Sequence, residues 1–274
     1  NSTNVNGDMK DIIDTSEVGY IVLDGESIHF HKFVQGETVA PDFGVDGYTV
    51  YTCPCGEVEH RDIVAAKIAA AQIGNVKYES LAEALAAAKA GDTILVFEGT
   101  YALPALKAGI TIEGVGEVLL EGTLSGTLEN LTLKNLHIKG ANAQRWAYAK
   151  GDLVFENVTF EATSVYAIHF DGIAEGTNLT YKNCTIIGWA AMGGSPASCV
   201  FDGCTIKDNG SYGVIRTYFD TTIKDCTFDV ANANTTDNYE DGIHAVEGAK
   251  VTVSGCTNAN GNMIDLINVH ATSI

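Results

Sequence analysis

One ten-residue pattern decides the fold, and it reads LTLKNLHIKG from Leu131, LVFENVTFEA from Leu153 and LTYKNCTIIG from Leu179. It returns as CVFDGCTIKD from Cys199, TTIKDCTFDV from Thr221 and VTVSGCTNAN from Val251. The sixth residues of these segments lie 20 to 30 residues apart, on average 24. A repeat of that length is typical of a solenoid, in which each repeat buries its apolar face against its neighbours.

Each segment is predicted to hold two short strands separated by a bend. Its first, third, sixth and eighth residues are mostly apolar, which is a period of two on either side of a one-residue phase shift. The fifth residue stands at this shift and belongs to a type that tolerates a left-handed backbone: Asn135, Asn157, Asn183, Gly203, Asp225 and Gly255. Stacked asparagine amides can form a ladder from one repeat to the next. The pattern therefore predicts parallel β-strands that coil one turn per repeat.

A second segment, SLAEALAAAKAGDTILVFEGTY from Ser80 to Tyr101, opens the repeat region. Ser80 is a suitable N-cap with Glu83 at the capping-box position, so a helix over residues 80–90 is predicted to cap the solenoid core. Together with the repeats, the segment resembles the right-handed parallel β-helix of the pectate-lyase-like superfamily over residues 76–274. The resemblance implies an all-β fold, a right-handed single-stranded parallel β-helix (solenoid) with an N-terminal capping helix. It implies no particular activity, because one fold hosts many functions.

Residues 1–61 do not share the repeat and are predicted to form a small β-rich N-terminal module. GYIVLDGESIHFHKF, from Gly19 to Phe33, alternates around an Asp-Gly pair and predicts a β-hairpin. The segment from Gly47 to Gly56 resembles a small repeat of surface proteins exported by anaerobic bacteria, with Gly-Tyr-Thr-x-Tyr-Thr-Cys followed by a second Cys and Gly. That repeat usually has another Cys upstream, where this chain has Phe43. Residues 62–75 predict an amphipathic helix that links the module to the solenoid.

The seven cysteines fall into two groups. Five occupy inward positions of the repeats and are expected to be small buried hydrophobic residues without disulfides: Cys184, Cys199, Cys204, Cys226 and Cys256. In the N-terminal module, Cys53, Cys55 and His60, with His29 or His31 folding back, leave zinc binding, a local disulfide and free thiols open. Cys-x-Cys is tighter than the usual spacing of zinc ligands, so the sequence assigns no metal site.

Composition and charge limit the partners of the protein. The 35 acidic and 16 basic side chains give a net charge of −19, which would repel nucleic acids and anionic membrane surfaces. No apolar run reaches about 18 residues, so no membrane insertion is expected. A neutral polysaccharide suits this charge best, and an acidic one would require Ca²⁺ held by Asp171, Asp241 or Asp265; no other cofactor is expected. The chain begins at Asn1, as after removal of an export signal or in a trimmed chain, and an extracellular or cell-surface location is expected.

A further strand follows each bend unit, and the residues after its inward apolar position are predicted to point outward together. This outward row is predicted to contain His169, Gly193, Arg216, His244 and Asp265. Catalytic roles are assigned to Arg216, His244, Asp241, His169 and Asp171. Substrate contacts are assigned to Tyr218, Tyr239, Trp189 and Asp265. A polar face that only keeps the solenoid soluble is the alternative interpretation.

This row predicts a polysaccharide groove. Its carboxylates are suited to act as general acid and base in glycoside cleavage. Alternatively, Arg216 neutralises a uronate while His244 acts as the base of a lyase. We therefore predict an exported carbohydrate-active protein, a glycoside hydrolase or lyase, and the alternative is a non-catalytic surface protein for glycan binding or adhesion. The polygalacturonase motifs are absent except for a weak similarity in NYEDGIHA from Asn238. No known active site can therefore be assigned to this chain. The last repeat has no obvious cap, which predicts a downstream domain or self-association at that end.

Overall fold

The computed structural model describes residues 19–140, 143–209, 214–231, 242–246 and 248–267. The chain divides into two compact units, with the boundary between Ile68 and Ala69. Among the residues that the structure describes, no helix has the length and apolar character needed to span a membrane.

The first unit consists of a hairpin and a small antiparallel sheet. The predicted hairpin is confirmed, with β1 (Gly19–Leu23) antiparallel to β2 (Glu26–Phe30). The sheet contains three strands, in spatial order as in the chain: β3 (Val34–Val39), β4 (Gly47–Thr52) and β5 (Val58–Val64).

The predicted linking helix over residues 62–75 is wrong. Its first residues belong to β5, where Val64 lies opposite Gly47 of the neighbouring strand. Later residues form β6 (Ala71–Ile73), which runs antiparallel to both β7 (Val76–Tyr78) and β8 (Thr93–Ala102). Pairing with these strands satisfies the hydrogen-bonding groups of the backbone. This gain outweighs the helical propensity of the alanines.

The capping helix is confirmed but is shorter than predicted. Helix α1 spans Leu81–Ala87, and the Ser80 side chain accepts a hydrogen bond from the Glu83 backbone N–H at 3.2 Å. Its buried residues pack in the solenoid core. At its C-terminal end, Lys107 Nζ donates to the carbonyl oxygens of Ala86 and Ala88, and so satisfies groups that a helix end leaves without partners.

The second unit is a parallel β-solenoid. From β8 onward its longer strands are β9 (Thr111–Glu121), β10 (Leu124–Gly140), β11 (Gln144–Ile173), β12 (Asn178–Lys182), β13 (Thr185–Met192) and β14 (Ser198–Asp202). Shorter strands follow: β15 (Thr205–Lys207), β16 (Val214–Thr217), β17 (Thr221–Lys224), β18 (Thr227–Asp229), β19 (His244–Ala245), β20 (Val251–Ser254) and β21 (Thr257–Asn258). A 3-10 helix, Met263–Leu266, comes after them.

The strands stack in three columns around the core. The first column runs β8-β9-β10-β11-β12-β14-β17-β20, and every neighbouring pair in it is parallel. A second column, after the bend, continues from β13 through β15 and β18 to β21. The third column joins the ends of β11 and β13 to β16 and β19, and it carries the predicted outward row.

The bend between the first two columns has the backbone conformation that the sequence predicts. All six predicted bend residues have positive φ, between 52° and 64°. Asn157 Nδ2 also donates to Asn135 Oδ1 at 3.0 Å, so the amide ladder forms at this step. The left-handed geometry explains the confinement of the bend to Asn, Asp and Gly.

Substitutions at this bend should separate backbone strain from side-chain contacts. Asn157→Ala is expected to lower the free energy of unfolding by about 1–2 kcal/mol, because a Cβ without a polar group is disfavoured at φ 55°. Asn157→Gly is expected to cost less, since glycine adopts this conformation freely and the lost amide contact is exposed. Denaturant unfolding of both variants measures the difference, and equal stabilities would contradict it.

Aromatic and aliphatic side chains fill the core in register. The third residues of successive repeats lie side by side, from Leu133 through Phe155, Tyr181 and Phe201 to Ile223, and each is fully buried. The rings of Tyr181 and Phe201 stack with centroids 4.6 Å apart and an interplanar angle of 5°.

The repeat cysteines are structural, as predicted. All seven cysteines of the chain are free thiols, and four of the five in the repeats are buried, with Cys256 partly exposed. Burial raises the pKa of Cys199 to about 12, so this thiol remains protonated and unreactive at neutral pH.

Candidate functional site

The third strand column places the polar residues of the outward row close together. His169 lies opposite Ala191, Ala191 opposite Arg216, and Arg216 opposite His244. Neighbouring strands are about 4.8 Å apart, so the row from His169 to His244 extends about 14 Å along the solenoid axis. Three of the five predicted row members therefore lie on neighbouring strands of this column, although His244 is buried.

Gly193 was assigned to the row, but the structure places Ala191 there. The inward column is Ile168, Ala190 and Ile215, whereas Met192 lies opposite Phe170 and Thr217. Ala190 and Met192 are both buried, because residues two apart on a strand face the same side. The predicted register differs from the observed one by two residues, so each residue still faces the side of the strand, inward or outward, that was predicted for it.

The assignment of Asp265 to the row is wrong. Ile243 pairs with Ile267, not with Ile264, and Ile264 is 68% exposed. Asp265 lies in the 3-10 helix, where its Oδ2 accepts a hydrogen bond from the Asn262 backbone N–H at 2.8 Å. This carboxylate stabilises a turn and does not face the groove.

Five of the nine predicted site residues line a single groove. The groove has a volume of about 560 Å³, and its functional lining comprises Tyr166, His169, Asp171, Trp189, Arg216 and Tyr218. The predicted site residues Asp241 and Tyr239 lie outside the described residues. His244 is only 6% exposed and does not line this groove, although it adjoins Arg216.

Aromatic rings form one wall of the groove. Tyr166 and Trp189 stack with centroids 5.2 Å apart and an interplanar angle of 16°. The Tyr166 ring also lies 4.3 Å from the ring of His169. Sequence reasoning missed Tyr166, although it stands in register with Trp189 one repeat earlier, and a search for a matching aromatic residue would have found it.

The polar groups of the groove are partly shielded from water. His169 Nδ1 lies 3.6 Å from Asp171 Oδ1, and their side chains are 15% and 21% exposed. The Arg216 guanidinium lies over the Tyr218 ring, 4.9 Å from its centroid. Asp171 is the only carboxylate among the described residues that line the groove. The arrangement offers one histidine beside a carboxylate and one cation over an aromatic face.

A larger depression of about 690 Å³ lies elsewhere on the solenoid, beside the bend column at Asn135 and Asn157. His137 Nε2, on its lining, lies within hydrogen-bonding distance of Glu161 Oε2, at 2.8 Å. A hydrogen bond from Lys139, followed by one from His137, lowers the pKa of the Glu161 carboxyl. The described lining of this depression contains no tyrosine, tryptophan or phenylalanine. We therefore place the candidate site in the groove of the third column.

The first unit contains a separate cluster of metal-ligating groups. One ligand atom each from His31, Cys53 and Cys55 lies within 4.8 Å of the other two. Burial raises the pKa of Cys53, but hydrogen bonds from Cys55 and His31 outweigh it and lower that pKa to about 7. His60, a candidate from the sequence, stacks on Tyr48 instead. No disulfide joins the two thiols.

Comparison with known proteins identifies the family. The model of the right-handed beta helix region matches residues 109–273, which is more than half of the chain.

The chain belongs to the right-handed β-helix family.

No curated protein and no solved structure matches this β-helix protein. The family assignment agrees with the parallel strand columns and with the resemblance noted in the sequence. It supports a carbohydrate-active or surface role in general, and a specific role has to be argued from the groove.

Proposed function

We propose that this β-helix protein binds a polysaccharide segment in the groove of the third column and cleaves it by β-elimination. The observation that carries the proposal is the aromatic pair of Tyr166 and Trp189 beside His169 and Arg216 in one groove. Aromatic faces pack against the C–H faces of sugars, and nearby polar groups fix their orientation.

The available acid–base groups favour elimination over hydrolysis. Glycoside hydrolysis generally uses two carboxylates on either side of the scissile bond. The described lining of the groove supplies one, Asp171, together with a histidine and an arginine. Elimination requires a base and a cation that neutralises the uronate carboxylate, and these are the groups that His169 and Arg216 supply.

The proposed elimination breaks a C–H bond and a glycosidic C–O bond of the uronate. His169 removes the proton on the uronate carbon next to the carboxylate, and that electron pair forms a double bond to the adjacent ring carbon. The glycosidic C–O bond on this second carbon breaks, and the departing oxygen takes a proton from water. The hydroxide that remains accepts the proton from His169, which restores both the water and the neutral base. Arg216 stabilises the negative charge that develops on the carboxylate. Asp171, with Oδ1 3.6 Å from His169 Nδ1, acts as a positioning residue that favours the protonated imidazole electrostatically.

Net charge limits the substrate further. A charge of −19 repels a polymer in which every sugar is acidic, whereas Arg216 offers one cation in the groove. We therefore expect a polysaccharide in which uronates are interspersed with neutral sugars.

Non-catalytic glycan binding is the second candidate function. The stacked pair of Tyr166 and Trp189 and the single described carboxylate favour it, since both suit recognition without chemistry. Under this alternative, the same groove binds glycans and releases no product.

A binding experiment tests the groove itself. Trp189→Ala is expected to weaken binding to a polysaccharide selected by glycan-array screening about tenfold, because an aromatic stacking contact contributes about 0.5–1.5 kcal/mol beyond area burial. Tyr148→Ala is the matched control, since Tyr148 is 54% exposed and does not line this groove. Isothermal titration of both variants gives the comparison. Equal affinities in the two variants would contradict the assignment of the groove.

A further inference from the structure

The geometry of the first unit points to a zinc site in which His31, Cys53 and Cys55 bind one Zn²⁺ through Nδ1 and two thiolate sulfurs. The inference is independent of the groove and of the proposed polysaccharide chemistry.

The distances match those of a zinc site. Zinc–sulfur bonds of about 2.3 Å and zinc–nitrogen bonds of about 2.0–2.1 Å place tetrahedral ligand atoms about 3.5–3.8 Å apart. His31 Nδ1 lies 3.3 Å from Cys55 Sγ, and all three ligand atoms lie within 4.8 Å of one another. Small side-chain movements are therefore sufficient to accommodate the ion.

The backbone brings both thiols to one side of a tight turn. The Cys53 N–H donates to the Glu57 carbonyl oxygen and the Gly56 N–H donates to the Cys53 carbonyl oxygen, each at 2.8 Å. These bonds close the connection between β4 and β5, and they explain why the short Cys-x-Cys spacing presents two sulfurs together. His31 follows β2, so its imidazole reaches the cluster from a different part of the unit.

These three ligands favour a metal ion that binds sulfur. Two thiolates and an imidazole suit Zn²⁺, whereas Ca²⁺ and Mg²⁺ require oxygen ligands. Cys53 is buried, while His31 and Cys55 are exposed. The exposed side of the cluster leaves the fourth coordination position to water.

Because the first unit buries so few apolar side chains, we expect the ion to stabilise its fold. Among the described residues 19–68, Cys53 is the only buried hydrophobic residue. Several large apolar side chains of the same unit are exposed: Tyr20, Ile21, Val22, Val34, Val45, Val58, Ile63, Val64 and Ile68. A small module with so little buried apolar area commonly depends on a disulfide or a metal ion for stability. A metal bound to His31 would fasten the segment after the hairpin to the β4–β5 turn.

Cobalt binding tests the site directly in the full chain. Reduced, metal-free protein titrated with Co²⁺ is expected to bind one ion with the absorption bands of tetrahedral, thiolate-ligated cobalt, and Zn²⁺ should displace it. Replacing a residue that merely orients a metal ligand commonly costs 10- to 100-fold in affinity. Loss of a ligand in Cys55→Ser or His31→Ala is therefore expected to lower the affinity by about 100-fold or more. Both residues are exposed, so these substitutions remove a ligand without disturbing a core.

Matched controls separate the site from other thiols and histidines. Cys256→Ser removes a partly exposed thiol of the solenoid, and His60→Ala removes a histidine that stacks on Tyr48. Both are expected to keep the cobalt spectrum. Zn²⁺ should also slow amide hydrogen exchange in β3–β5 of the parent chain and not in Cys55→Ser. A cobalt spectrum without thiolate bands, or unchanged affinity in Cys55→Ser and His31→Ala, would overturn the proposal.

Discussion

His169→Ala is expected to lower the rate of product formation by about 10²- to 10⁴-fold, the usual contribution of a general base. The imidazole lines the groove beside Asp171 and contacts the Tyr166 ring, and in the proposed elimination it is the base. Glycan affinity should change only a few-fold, because the aromatic pair and Arg216 remain. Rates of unsaturated product formation and dissociation constants, measured for the same variant, separate the two effects.

A second histidine provides the control for this experiment. His137 also lies beside a carboxylate, with its Nε2 2.8 Å from Glu161 Oε2, but it does not line the groove. His137→Ala is therefore expected to retain the parent rate. Equal losses in both variants, or full activity in His169→Ala, would show that His169 is not the base.

Phe201→Ala is expected to lower the free energy of unfolding by about 3–5 kcal/mol, which is typical of a large aromatic residue removed from a core. The Phe201 side chain is fully buried and stacks on Tyr181. Its loss leaves a cavity between rigid strands on either side, and parallel strands held in register cannot collapse to fill it. Denaturant unfolding monitored by circular dichroism measures the change.

Tyr181→Phe is the control for this prediction, because it leaves the ring in place and removes only the hydroxyl. That hydroxyl is buried and has no hydrogen-bond partner among the described residues. Its removal is expected to leave stability unchanged or to raise it by about 1 kcal/mol, since an unsatisfied buried polar group costs free energy. A loss below about 1 kcal/mol in Phe201→Ala would contradict the packing described for the core.

The bends and core columns could be predicted because each produces a recognisable pattern of neighbouring residues in the sequence. A one-residue shift in apolar alternation marks each bend, and the left-handed backbone restricts the residue there to a few types. Asn183 and Gly203 share no side-chain chemistry, yet both have positive φ at corresponding positions. The stacking of Phe155, Tyr181 and Phe201 follows from the same alignment of repeats.

Strand register and tertiary pairing could not be predicted in the same way. Whether Ala191 or Gly193 belongs to the row depends on whether Ala190 or Met192 lies opposite Ile168. Both of these residues face inward, and no local pattern in the sequence decides between them. The alanines after Asp62 favour a helix by propensity, whereas pairing with neighbouring strands determines their conformation. The sequence grouped Cys53 and Cys55 with several histidines but could not choose His31 among them, because His31 and Cys55 are 24 residues apart and no local pattern brings them together.

An assay of cleavage products tests the central claim most directly. The parent protein would be incubated with a panel of plant, host and microbial polysaccharides, with and without Ca²⁺, and both new reducing ends and unsaturated sugar ends would be measured. Elimination in the groove predicts that unsaturated ends appear from a uronate-containing polysaccharide in equal number to new reducing ends, and that Arg216→Ala abolishes both. Reducing ends without unsaturated ends, or glycan binding without any product, would contradict the proposed elimination.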